Sequence, residues 1–186
     1  MSIRIQPIFT IADLEAMPDD GNRYELMEGE IYVSRAPSLT HQRVLRNLIG
    51  VFQIYLSRHR NRIGEVVPGP GVVFDEHNGV IPDLVFISRE RGPVIVSGER
   101  LIGAPDLAVE ILSPGAENKR RDRNIKRRVY AKFGVKEYWI IDPEKRSVDI
   151  YSLNKGRSAT AFGDLDEITS FILPGFSCKV ARLFEY

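Results

Sequence analysis

Two periods of apolar and polar residues run along this chain. The longest helical stripe lies in SLTHQRVLRNLIGVFQIYLSRHR, residues 38–60, where Val44, Leu45, Leu48, Ile49, Phe52 and Tyr55 recur on one helix face. Ser38 or Thr40 supplies its N-cap, which puts His41 in or near the first turn. ENKRRDRNIKRRVYAKFG is a second helix, because Ile125, Val129 and Phe133 repeat every four residues and Gly134 is a natural stop. TIADLEAMP is a short opening helix between the cap Thr10 and the breaker Pro18. Strand patterns fill the intervals. RYELMEGEIYVS reads as a hairpin from about Tyr24 to Ser34, turning at EG. EVVPGPGVVF and VIPDLVFIS are strand candidates separated by the turn-rich DEHNG, and EYWIID and SVDIYSL flank PEKR as a further hairpin. The tail from Glu167 predicts one more strand and a short terminal helix. No repeat or linker divides the chain, so a single α/β domain over residues 1–186 with a mixed sheet is the expected organisation.

The most buried strand candidate, LAVEIL, carries the first chemical clue. Leu107 to Leu112 is almost wholly apolar, as in a strand covered on both faces, yet Glu110 sits in its middle. A buried carboxylate costs several kcal/mol unless a cation or a metal compensates it. Asp106 lies on the same strand face, but four residues of strand span about 13 Å while metal–oxygen distances are near 2 Å. Asp83, in the other of two Pro-Asp-Leu triplets, lies on a different strand, and side chains on one face of neighbouring strands converge. Asp83 is therefore the expected partner of Glu110, and Asp106 a turn or cap residue. Two such carboxylates suit either acid–base hydrolysis or metal-assisted phosphoryl chemistry.

Charge tips this choice. The chain has 186 residues and a formal net charge of +1, so affinity for an anion must come from clustering. Between Lys119 and Lys136 stand nine Lys or Arg against one acid, Asp122. That local field suggests contact with a phosphate backbone, with Arg120, Arg121, Arg123 and Arg127 as the expected nucleic-acid contacts. A run this long also argues against a small phosphoester substrate. One cysteine, Cys178, excludes an internal disulfide; no apolar run reaches the roughly 20 residues that span a bilayer, and the N-terminus lacks a signal-peptide pattern. A cytoplasmic protein with no membrane partner is the expectation.

The order of an aspartate, a glutamate in a buried strand and then a basic group resembles the PD-(D/E)xK logic of restriction-endonuclease-like nucleases. More closely, RYELMEGEI, SLTHQRVLRNL, VIPDLVFIS, GAPDLAVEILSP, RDRNIKRRVYAKFGVKEYWIID and VDIY resemble, in order, the Uma2 family of that superfamily. The resemblance implies a restriction-endonuclease-like fold, a mixed central β-sheet flanked by α-helices, with a nuclease core over about 23–151 and a strand/helix extension over 152–186. It implies a Mg²⁺- or Mn²⁺-dependent endonuclease acting on DNA, likewise a homodimer. Asp83, Glu110 and the backbone carbonyl of Ile111 would hold the metal. Glu25 and His41 match polar positions of the family's site: Glu25 to complete the metal shell, His41 as base, outer-shell donor or phosphate contact. One position departs from the superfamily pattern: the lysine due two residues after Glu110 is Leu112. Lys126, sharing a helix face with Asp122 and Tyr130, is the expected substitute. The alternative is a catalytically inactive module of the same fold that only binds nucleic acid or a partner. A structural Glu110–Lys126 ion pair is a further possibility.

Overall fold

The computed structural model describes residues 8–59, 62–154 and 159–186; residue 60 of the expected long helix and the first seven residues lie outside these. The chain opens with α1 (Ile11–Glu15), whose cap is reciprocal: Thr10 accepts from the Asp13 N–H and the Asp13 carboxylate accepts from the Thr10 N–H. β1 (Arg23–Met27) and β2 (Glu30–Ser34) form the expected hairpin. Its turn residues Glu28 and Gly29 both have positive φ, 54° and 79°, the left-handed pair that a tight two-residue hairpin requires. α2 (Leu39–Arg58) is capped by Ser38, whose hydroxyl accepts from the His41 N–H; Thr40 lies inside the helix.

The middle of the chain divides more finely than its pattern indicates. EVVPGPGVVF contains two strands, β3 (Gly64–Pro68) and β4 (Val72–Asp75), broken at the Pro-Gly-Pro-Gly run, and they enter different sheets. β5 (Asn78–Val80) and β6 (Leu84–Ser88) follow, then a short α3 (Gly92–Ile95), β7 (Val96–Ser97) and β8 (Arg100–Ile102). β9 (Leu107–Ile111) is buried throughout. The basic helix has three parts: α4 (Ala116–Arg120), a π-helical stretch (Arg121–Lys126) and α5 (Arg127–Phe133), which ends at Gly134 in the left-handed region at φ 86°. β10 (Glu137–Asp142) and β11 (Ser147–Ser152) form the expected hairpin. After β12 (Ala159–Phe162), the tail from Glu167 holds two strands rather than one, β13 (Glu167–Thr169) and β14 (Ser177–Lys179), followed by a 3₁₀ turn (Val180–Phe184).

The strands build two six-stranded sheets, ordered β2-β1-β5-β4-β8-β7 and β12-β11-β10-β9-β6-β3, with β13-β14 as a small third. Both large sheets mix parallel and antiparallel pairs, so the expected mixed α/β architecture holds, with its strands shared between two sheets. In the second sheet β9 and β10 are parallel, joined by the basic helix as a crossover. Alternation then sorts the faces. Val109, Ile111, Trp139 and Ile141 pack toward α2 and the tail, while Ala108, Leu112, Ile140 and Tyr138 pack toward α5 and the first sheet. Every residue of β10 is buried, which makes EYWIID core.

Candidate active site

Asp83 immediately precedes β6, and Glu110 is the fourth residue of β9. The antiparallel register pairs Leu84 with Val109 and Val85 with Ala108, and continuing it one step sets Asp83 opposite Glu110. Val85 and Ala108 share the face toward α5, so Asp83 and Glu110, each two residues along, share it also. Both carboxylates line one cleft of about 420 Å³, at 6% and 3% exposure. The Asp83 side chain prolongs the ladder beyond its last backbone pair: Oδ2 accepts the Ile111 N–H at 2.8 Å and lies 3.0 Å from His41 Nε2. Arg23 Nη1 stands 3.6 Å from Asp83 Oδ1.

Glu110 faces the helix. Its Oε1 accepts from Tyr130 at 2.7 Å and from Lys126 Nζ at 2.9 Å. Lys126 is 1% exposed and also reaches Glu25 Oε1 at 2.8 Å, with Asp122 Oδ1 at 4.0 Å. Glu25 is steadied in turn by the Ile81 N–H at 2.8 Å. The shared face of Asp122, Lys126 and Tyr130 does turn inward, and Lys126 reaches the strand glutamate from the helix. Leu112, in the superfamily's lysine position, is 2% exposed and packed among apolar side chains. The π-helical stretch carries both Asp122 and Lys126; π turns inside helices recur at functional sites.

Glu25, Glu110 and Asp122 lie within 4.0 Å of the Lys126 ammonium and the buried Asp83 shares their cleft, and this crowding bears on their ionisation. Burial raises the Asp83 carboxyl, but the hydrogen bond and charge of His41, the Ile111 N–H and Lys126 outweigh it, leaving its pKa below the usual value. Glu110 goes the other way, to about 8: burial dominates, the Lys126 charge offsets part of it, and the charges of Asp83, Asp122 and Glu25 push it further up. Asp122 is raised by burial despite Lys126 and Arg121. Lys126 loses by burial but is held above its ordinary value by Glu110, Glu25 and Asp122, so it remains an ammonium. At the floor of the cleft three carboxylates thus share one buried ammonium. Among the described residues no three His, Cys, Asp or Glu side chains converge as a complete metal shell. The protein donors facing the cleft are hard carboxylate oxygens, which suits an ion that keeps water and phosphate as its other ligands.

The remaining expected residues fall as follows. Glu25 and His41 both line the cleft, Glu25 bound to Lys126 and His41 to Asp83. His41 Nδ1 is buried without a hydrogen-bond partner among the described residues. Asp106 is the turn residue expected of it, paired with Lys136 and the Ser88 N–H. The unopposed basic field is corrected by the structure. Lys119 pairs with Glu144, Arg121 with Asp122, Arg123 with Asp142 and Asp149, Lys126 with Glu25 and Glu110, Arg128 with Glu28, Lys132 with Asp75 and Lys136 with Asp106. Arg121 and Arg123, expected to grip a backbone, are thereby engaged within the fold, although Arg121 still lines the cleft. The weight this run carried against a small phosphoester falls with the field. Sequence reasoning missed Arg23, whose signal was available: it stands two residues before Glu25 in a strand and so shares its face.

No curated protein matches the chain. Among solved structures, the crystal structure of "a putative nuclease belonging to DUF820" from Anabaena variabilis ATCC 29413 superposes with a TM-score of 0.77 at 19% identity, covering 95% of this chain and 97% of that one. At this identity the likeness is one of fold. The model of the Uma2 family, described as "Putative restriction endonuclease", matches residues 11–181, and the chain belongs to that nuclease-like family.

Proposed function

We propose that the chain is a divalent-metal-dependent endonuclease that hydrolyses phosphodiester bonds in DNA. The observation that supports this most is the placing of Asp83 and Glu110 on one sheet face, at the floor of one cleft, with Lys126 held against Glu110 at 2.9 Å. Asp83, Glu110 and the Ile111 carbonyl would hold Mg²⁺ or Mn²⁺, whose charge offsets the carboxylate excess around Lys126. When bound, the ion lowers the pKa of a water and polarises the scissile phosphodiester. His41 holds Asp83 through Nε2 and so fixes which carboxylate oxygen is turned to the cleft. Glu25 grips Lys126 from the first sheet, keeping its ammonium at the floor, where it stabilises charge developing on the phosphate. Arg23 and Arg121 line the walls, Arg23 against Asp83 and Arg121 against Asp122.

The test is cleavage of plasmid and oligonucleotides with Mg²⁺, Mn²⁺ or EDTA. Asp83→Ala and Glu110→Gln are expected to lower the rate by a factor of about a hundred or more, with Glu110→Gln still binding DNA. Undiminished cutting by purified Glu110→Gln defeats the assignment. A second reading, a binding module without chemistry, draws on the direct Lys126–Glu110 pair, which partly compensates the buried charge without a metal.

A further inference from the structure

The cleft is one end of a longer groove. Val33, Asn118 and Arg121 are shared between it and a second hollow of about 400 Å³ between β2 and the basic helix. Tyr32, Arg120 and Ile125 lead from there into a third hollow of about 510 Å³ bounded by Asn124 and Arg127. Positive charge without an acidic partner is sparse along this groove among the described residues. Of the nine cations from Lys119 to Lys136, Arg120 and Arg127 are the two with no acidic partner among the described residues, and both line it. Arg127 sits over the Tyr151 ring, 5.1 Å from its centroid. Arg35, exposed and also without an acidic partner among the described residues, lines the cleft. Between these cations the lining includes acids: Glu28, Glu30 and Glu117.

We infer that this groove takes a single-stranded nucleic-acid segment, with phosphates at Arg35, Arg120 and Arg127. The inference rests on the nuclease reading and narrows its substrate. A duplex is a broad rod with two rows of phosphates, and its binding draws on many cations across a wide face. Here the cations not already paired with acids are few, the rim carries carboxylates that repel a second phosphate row, and the reacting groups lie at the bottom of a cleft at 3% and 6% exposure. One strand can follow the groove and lower a phosphate to that floor. The half-buried Tyr32 ring offers a face for a base, and Asn118 and Asn124 offer amides to base edges.

The experiment measures fluorescence anisotropy of the full chain in EDTA with labelled oligo(dT), oligo(U) and a DNA duplex of equal length. At least one single strand is expected to bind about tenfold or more tighter than the duplex, with a log–log salt slope near −2 from about three phosphate contacts. Arg120→Ala and Arg127→Ala should each weaken single-strand binding several-fold and each remove about 0.7 from that slope. Arg46→Ala, on α2 and outside the groove, should change neither. Duplex binding equal to or tighter than single-strand binding overturns the inference, as does wild-type affinity in both arginine variants. Asp83-dependent cutting of duplex with single strands left intact, or of bis(p-nitrophenyl) phosphate with no oligonucleotide bound, overturns the groove while leaving the hydrolytic reading in place.

Discussion

Lys126 concentrates the energetics of the site in one side chain. Its ammonium is the shared partner of Glu25 and Glu110 and lies near Asp122, all of them buried. Removing a buried partner costs far more than the pair contributes over an apolar replacement, because it strands the opposite charge. Lys126→Met is therefore expected to destabilise the fold by about 3–5 kcal/mol, read as a lowered urea midpoint. Glu25→Gln leaves Glu110 to answer the ammonium, so its loss should be clearly smaller. Equal losses in the two variants would mean that Lys126 is not the hub. This hub was half legible in the sequence. The need for a cation near Glu110 follows from the apolar strand around it. Which cation answers does not, since Leu112 occupies the neighbouring position and Lys126 is sixteen residues away along the chain. Only the family likeness pointed to the helix.

At the scale of elements, the two Pro-Asp-Leu triplets have separated roles that spacing alone anticipated. The first sets Asp83 across from Glu110; the second makes Asp106 a knot between strands and helix. Its carboxylate accepts the Ser88 N–H at 2.8 Å and pairs with Lys136 at 2.5 Å, while its backbone oxygen accepts from Lys136 and Glu137. The ends of β6, β9 and the crossover into β10 are thus tied at one residue. Burial raises the Asp106 carboxyl, but Lys136 and the Ser88 N–H more than reverse this, and its pKa lies below the ordinary 3.8. A depressed acid contributes stability that is present above its unfolded pKa and is lost as pH falls through its folded one. Asp106→Asn should then be less stable than wild type by about 2 kcal/mol at neutral pH, and the two denaturation midpoints should begin to converge as pH falls below about 4, meeting only below the folded-state pKa. A deficit that persists unchanged into acid would show that the exchange disturbs packing rather than charge. Other elements were illegible for definite reasons. α3, β7 and β8 are two to four residues long, too short for a period to register. The π-helical turn leaves the apolar spacing of Ile125, Val129 and Phe133 intact, so nothing in the pattern marks it.

Over the whole molecule, charge is the property a linear reading misjudges most. The basic run looks unopposed only because its acids come from elsewhere: Glu28 meets Arg128 across 100 residues, and Asp149 meets Arg123 across 26. A chain of net charge +1 that folds its cations onto its acids keeps few for a ligand. The fold class, by contrast, was legible, because strand and helix periods survive burial; the division into two sheets was not, since pairing partners such as β1 and β5 are set by tertiary contacts. What the folded charge leaves crowded is the cleft floor, where Glu25, Glu110 and Asp122 share the Lys126 ammonium and Glu110 is pushed up to about 8. A divalent ion that binds there binds only the folded state, and therefore raises stability by mass action. At a hundred times its dissociation constant the gain is about 2.7 kcal/mol, which for a chain of this length is a rise in Tm of about 5–10 °C. Mg²⁺ or Mn²⁺ titrated into the protein should raise the wild-type Tm by that order, and Asp83→Asn, which removes one ligating charge, should show little or none of it. A wild-type Tm that stays flat to saturating concentrations of both ions, beside a normal melting transition, would transfer the Lys126–Glu110 pair from a catalytic to a purely structural role and leave the binding-module reading.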